Sequence, residues 1–125
     1  MNRAARNAAW VNAGWMAFVW VTRIRNAAGD DQLSTTAAAL AYALSAIGLI
    51  GAAVLVAAAW KGIAVWLVVP VAVIEIVIWV VRGTTIALGD RAPGFKAVHV
   101  VLAAISVALA AWLISEVGRR APLRP

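Results

Sequence analysis

Apolar residues run through this 125-residue chain in long blocks that charged residues interrupt at only a few places. The first block, 8–22, is closed by the arginines Arg23 and Arg25. A second run, 37–81, is far longer than one bilayer crossing, for which about 20 helical residues are enough. It must therefore fold back once, and Lys61 with Gly62 predicts the place of the turn, because a charge and a flexible residue stand there.

The last apolar block follows the turn-rich segment GDRAPGF and ends before Gly118. The pattern predicts an all-α membrane protein, a bundle of four transmembrane helices in one domain, 1–125, with spans near 8–22, 36–59, 63–81 and 97–117. Ser34 and the threonines after it offer an N-cap for the second helix. The first block also fits a signal peptide, but the arginines that close it are untypical of a cleavage site.

Composition supports lipid as the solvent, since 65% of the residues are hydrophobic and only 13% are charged. The net charge of +6 comes from residues at the edges of the apolar blocks, which favours anionic lipid headgroups over nucleic acid as the partner. The chain has no cysteine, which excludes disulfides, thiolate metal sites and cysteine nucleophiles. Without any catalytic or zinc-binding motif, we expect no enzyme activity, no cofactor and no metal.

Six of the seven tryptophans fall into two bands near the ends of the predicted helices. Indole rings favour the headgroup level, where the N–H stays hydrated and the ring stays in an apolar environment. We therefore expect six of them to be interface anchors, with Trp15 in mid-span packing inside the bundle. The predicted anchors are Trp10, Trp60, Trp66 and Trp112 at the end that carries both termini, and Trp20 and Trp79 at the other end.

Orientation rests on the distribution of arginine and lysine, which is nearly balanced between the two ends. The end with the termini holds Arg3, Arg6, Lys61, Arg119, Arg120 and Arg124, and the other end holds Arg23, Arg25, Arg82, Arg91 and Lys96. We predict a multi-pass protein of the bacterial plasma (inner) membrane with both termini in the cytoplasm. The balance leaves inverted or mixed insertion open.

A shift of 59 residues aligns rare residue types in the two halves of the chain. It lays Trp20 on Trp79 and Arg23 on Arg82, and it also aligns Asp31 with Asp90 and Ala38 with Ala97. Two helical hairpins of equal orientation would then be related by a pseudo-two-fold axis along the membrane normal. Coincidence is the alternative in a chain so rich in alanine and valine.

Small residues recur at four-residue spacing in the second and fourth predicted helices, which would let helix backbones approach closely in lipid. This spacing predicts that these two helices form the packed centre of a homo-oligomer or complex subunit, with the tryptophan-bearing helices outside. The predicted packing residues are Ala37, Ala41, Ser45, Gly48, Ala52, Ala104 and Ala108.

Glu75 is the residue that chemistry singles out, because a carboxylate inside a membrane helix costs about 2.5–3.5 kcal/mol. Arg82, His99 or Lys96 could pair with it, or a proton could neutralise it. Its functional interpretations are proton coupling, cation binding or a polar clamp to a partner protein. Its structural interpretation is a protonated carboxyl group hydrogen-bonded inside the bundle, or one that reaches to the near interface. His99 could bind haem, relay protons or form an interfacial hydrogen bond.

The segments AFVWVTRIRN and GFKAVHVVLAAISVALA resemble parts of small, tryptophan-rich, uncharacterised multi-pass membrane proteins of high-GC Gram-positive bacteria. This resemblance implies a plasma-membrane location and no particular activity. Small multidrug exporters share the four-helix size and a single membrane glutamate, but theirs belongs to the first helix, whereas Glu75 belongs to the third.

Three functions fit the sequence. The leading hypothesis is a non-enzymatic membrane subunit or accessory protein that packs against itself or a larger complex. The alternatives are a small proton- or ion-coupled transporter that works as a homodimer around Glu75, and a holin-like pore.

Overall fold

The computed structural model describes residues 1–119, and these residues form four α-helices with no β-strand. The prediction of an all-α, four-helix protein is therefore confirmed. The basic residues Arg120 and Arg124 lie outside the described residues. The helices are α1 (Arg3–Ala28), α2 (Thr35–Lys61), α3 (Val68–Leu88), which a 3-10 turn at Val65–Leu67 precedes, and α4 (Pro93–Gly118).

The ends of α2 carry the local signals that the sequence predicts. Ser34 Oγ accepts the backbone N–H of Ala37 at 3.1 Å and caps the start of the helix. Gly62 adopts a left-handed conformation, with φ 66°, and its N–H bonds to the carbonyl of Ala58. The chain therefore turns at the glycine that interrupts the long apolar run.

Most other helix ends lie beyond the predicted spans, except that α3 begins at Val68, inside the predicted span 63–81. Helix α1 extends past 8–22 in both directions, and α3 continues past residue 81 through Arg82 to Leu88. The reason is that an arginine marks where apolar surroundings end, while helical hydrogen bonding continues through arginine without cost, since arginine is a good helix former. The positions of the charged residues therefore predicted where the apolar blocks end, but they underestimated how far α1 and the C-terminal end of α3 extend.

Within the described residues, three helical segments are long and apolar enough to cross a membrane: Thr35–Lys61, Val65–Leu88 and Pro93–Gly118. The chain is accordingly a multi-pass membrane protein in contact with a lipid bilayer. Helix α1 has 26 residues, about 39 Å of helix, but it is less apolar and is not among these three. Its crossing of the membrane stays a prediction.

Helix α1 lies between α2 and α4, and α3 packs along α4. Helices α2 and α4 do not pack along one another, so the prediction that they form the packed centre is wrong. The physical reason is that the small residues of α2 accommodate large side chains of α1. At Gly48, a Cβ would collide with the indole ring of Trp20.

The least apolar helix is thus the most enclosed one. Nine residues of α1 are buried, compared with eight in α2, four in α3 and four in α4. Its polar side chains bond to protein: Asn12 Nδ2 donates to the Ala8 and Leu109 carbonyls at 2.8 and 2.9 Å, and Trp15 Nε1 donates to Ser106 Oγ at 2.8 Å. Such bonds between helices offset the cost of polar groups in hydrocarbon. Trp15 packs inside the bundle, as expected.

The two halves of the described chain are helical hairpins, α1–α2 and α3–α4. Two of the residue pairs related by the 59-residue shift come together in space: the rings of Trp20 and Trp79 lie 5.7 Å apart, and Arg23 and Arg82 line one cleft. Equivalent residues close to a pseudo-two-fold axis would meet in this way. The same shift places Met16 opposite Glu75, so the halves differ where the acidic residue stands, and duplication stays a hypothesis.

Candidate functional site

Glu75 lies in the interior of the bundle, where it is only 3% exposed. Two tryptophans enclose its carboxyl group. Trp79, one turn further along α3, donates its indole N–H to Glu75 Oε1 at 2.9 Å. Trp20 of α1 donates its own indole N–H to the same oxygen at 3.2 Å. The bond from Trp20 therefore joins α1 to α3, while the bond from Trp79 stays within α3.

The helices position these three side chains by simple geometry. Residues four apart share one face of a helix, which places Trp79 next to Glu75. Trp20 reaches them across the bundle because Gly48 of α2 leaves room for its ring. The centroids of the two indole rings lie 5.7 Å apart, within the range of favourable aromatic contacts. The site thus depends on three helices, with α2 contributing only the absence of a side chain.

The cations that the sequence offered as partners do not pair with Glu75. Within residues 1–119, the sole salt bridge joins Arg119 to Glu116 at 3.4 Å. An indole donates one hydrogen bond and accepts none, so this site holds an acceptor oxygen in place. The arrangement is suited to a polar clamp between helices. We therefore favour the structural interpretation of Glu75 over proton coupling or cation binding.

Trp20 and Trp79 are not interface anchors, and that prediction is wrong for these two residues. They are 1% and 4% exposed, so neither ring reaches the lipid headgroups. Their N–H groups find an acceptor in the protein, which removes the reason for an indole to stay at the hydrated surface. The other predicted anchors are exposed on the outside of the bundle, and their anchoring stays a prediction: Trp10, Trp60, Trp66 and Trp112.

Arg82 and His99 come close to one another but make no polar contact with Glu75 in the described part of the chain. With the two buried indoles, they line a small cavity of about 80 Å³. His99 Nδ1 donates to the carbonyl of Phe95 at 2.8 Å, and the imidazole ring stacks on the phenyl ring of Phe95 with their centroids 4.0 Å apart. The histidine is therefore held by its own helix. Among residues 1–119, no three His, Cys, Asp or Glu side chains converge on a common point.

The predicted packing residues divide between the interior and the surface. On α2 they lie toward the interior: Ala37 is half-buried, and the buried members are Ala41, Ser45, Gly48 and Ala52. On α4, Ala104 and Ala108 are exposed, whereas the buried residues of that helix are Ser106, Ala110, Leu113 and Glu116. The α2 residues pack inside this chain, and the α4 pair faces outward.

Sequence reasoning missed Asn12 and Ser106, the polar residues that link α1 to α4. Asn12 stands inside the first apolar block, and an amide in such a place signals a hydrogen bond to another helix. Ser106 had no comparable signal, because serine can bond to its own helix.

We compared the chain with protein-family models, with curated proteins and with solved structures, and none of them matches it significantly.

Proposed function

We propose that this protein is a non-enzymatic membrane subunit or accessory protein, which packs through the outer face of α4 against a second copy or a larger membrane complex. We place it in the bacterial plasma membrane with both termini in the cytoplasm. The observation that supports this function is the outward direction of Ala104 and Ala108.

Small residues on the lipid side of a helix are useful mainly to another helix, because they let two backbones approach closely. Along α4, Ala97, Ala104, Ala108, Ala111 and Ser115 are all exposed. Their spacing of three, four or seven residues places them on one side of the helix. The opposite side already packs inside the chain, so this row is available for contact with a partner.

The enclosure of Glu75 also supports a packing role over a transport role. A coupling carboxylate must exchange protons or ions with water, whereas both indoles donate to Oε1 of Glu75 inside the bundle. Proton or ion flux through proteoliposomes that Glu75→Gln abolishes, in a variant that still assembles, would instead favour the transporter.

The chain lacks cysteine, so one introduced cysteine reports its own contacts without background. We expect Ala104→Cys, treated in the membrane with a short thiol crosslinker, to give a covalent dimer or an adduct with a defined partner, identified by mass spectrometry. Ala53→Cys, an exposed alanine in the middle of α2, is the matched control and should stay monomeric. Equal crosslinking at both positions, or none at Ala104, would contradict the proposed α4 interface.

A further inference from the structure

A cleft of about 650 Å³ opens between α2 and α3 at the end of the bundle away from the termini. These two helices make the smallest of the main helix contacts, so their side chains leave a gap. Leu40, Val77 and Val81 line this gap and are 57%, 55% and 59% exposed, so the cleft opens sideways toward the surroundings of the bundle. Its volume lies in the range of small-molecule sites, about 300–1,000 Å³.

The part of the cleft nearer the middle of the helices is apolar. Leu40 and Leu44 of α2 form one wall, and Val77, Ile78 and Val81 of α3 form the other. Along α3 this apolar wall extends from Val77 to Val81, about 6 Å at 1.5 Å per residue, before the lining reaches Arg82. A hydrocarbon chain could lie against this wall without burying any polar group there.

The part of the cleft near the helix ends carries the basic residues, beside the apolar Leu33 and Ile86. Arg23 of α1, Arg82 of α3 and Arg91 of the α3–α4 loop line it with one carboxylate, Asp30. Asp30 Oδ1 also accepts a hydrogen bond from the backbone N–H of Gln32 at 2.9 Å, so this carboxylate is partly engaged with the loop between α1 and α2. Three guanidinium groups against one carboxylate leave an excess of positive charge, with Arg23 and Arg82 half-buried and Arg91 exposed.

These guanidinium groups lack partners in the described part of the chain. None of the three makes a salt bridge within residues 1–119, and Arg23 Nε is buried there without a hydrogen bond. Burial lowers the pKa of Arg23, which lies beyond the predicted span 8–22, and the charge of Arg91 lowers it further, while Asp30 opposes both effects. Arg91 also lies over the ring of Phe95, at 4.9 Å. Buried donors and clustered like charges are costly unless an anion binds them.

We propose that this cleft binds one anionic phospholipid, with its phosphate between Arg23, Arg82 and Arg91 and an acyl chain between α2 and α3. Guanidinium groups match phosphate oxygens in charge and in the geometry of their paired donors. The order of the lining also fits, because the basic part lies at the helix ends and the apolar part toward mid-helix, as headgroup and chain lie in a bilayer leaflet. This site is independent of the proposed α4 interface, whose small residues do not line the cleft.

Native mass spectrometry of the protein in mild detergent can count bound lipid directly. Phosphatidylglycerol and phosphatidylcholine with identical acyl chains are the two probes. We expect one retained phosphatidylglycerol and a roughly hundredfold weaker binding in the double variant Arg23→Gln/Arg82→Gln, equivalent to the loss of two charge-assisted hydrogen bonds. The matched control Arg3→Gln/Arg6→Gln removes the same charge at exposed positions of the other end and should bind as the wild type does.

Two further measurements separate a lipid from a free anion. Leu40→Trp places a larger side chain in the apolar part of the cleft. Because Leu40 is exposed, the fold should tolerate the substitution. Lipid binding should then fall several-fold although all three arginines are present. Excess inorganic phosphate should not displace the lipid. Equal retention of phosphatidylcholine, equal binding by the two double variants, displacement by phosphate, or an unchanged Leu40→Trp would each overturn the proposal. Leu40→Trp decides the question if the arginine variant does not fold.

Discussion

Two polar clusters lie close together in this bundle, and they satisfy their polar groups in opposite ways. The carboxyl of Glu75 is enclosed and receives both indole N–H groups on one oxygen. The guanidinium groups of Arg23, Arg82 and Arg91 line an open cleft and have no salt bridge within residues 1–119. The indole donors of the first cluster find their acceptor within the chain, whereas the guanidinium donors of the second need an anion. We infer that the partners of a polar group, more than its burial, separate a structural cluster from a binding site.

The largest decrease in the free energy of unfolding should follow from removing the acceptor of the enclosed cluster, the carboxyl group of Glu75. Glu75→Leu leaves the N–H groups of Trp20 and Trp79 without a partner in an apolar interior, and each should cost about 1–2 kcal/mol. The free energy of unfolding, measured by titrating sodium dodecyl sulfate into mixed micelles, checks this. Glu75→Gln keeps an acceptor oxygen and should stay within about 1 kcal/mol of the wild type. A Glu75→Leu variant as stable as the wild type would show that the cluster is no clamp.

A smaller decrease in the free energy of unfolding should follow when a side chain added on α2 crowds the same cluster. Gly48→Ala places a methyl group against the buried ring of Trp20, and such overpacking costs about 1–3 kcal/mol. The displaced ring should also lose its bond to Glu75, which the near-ultraviolet circular dichroism of the tryptophans would register. Gly14→Ala is the control, because a Cβ there meets no atom within 4 Å. If both variants behave alike, Trp20 does not depend on the glycine.

The smallest effect should come from the basic cleft. Arg82→Gln removes one of several repelling charges and no salt bridge within residues 1–119, so unfolding in neutral detergent should change by less than about 1 kcal/mol. Phosphatidylglycerol in the micelles should then stabilise the wild type more than this variant, since a ligand stabilises the state that binds it. Destabilisation of Arg82→Gln in lipid-free detergent, comparable to that of Glu75→Leu, would remove the difference between the two clusters.

The sequence by itself determined the helical class, the number of helices in residues 1–119 and the turn at Gly62. These features depend on local properties: the length of an apolar block, a serine that caps a helix and a glycine that can end one. Glu75 also stood out, since a carboxyl group in an apolar helix is costly wherever its partner lies.

Only the tertiary structure decided which helices pack together and which partners the polar groups find. Trp20 precedes Glu75 by 55 residues, and no local spacing connects them. An indole N–H is satisfied equally by hydrated headgroups or by a buried carboxyl, so its sequence position could not distinguish an anchor from a clamp. The cleft depends on the gap between α2 and α3. Contacts between helices are set by the shapes of whole faces, and the pattern along a single chain does not contain that information.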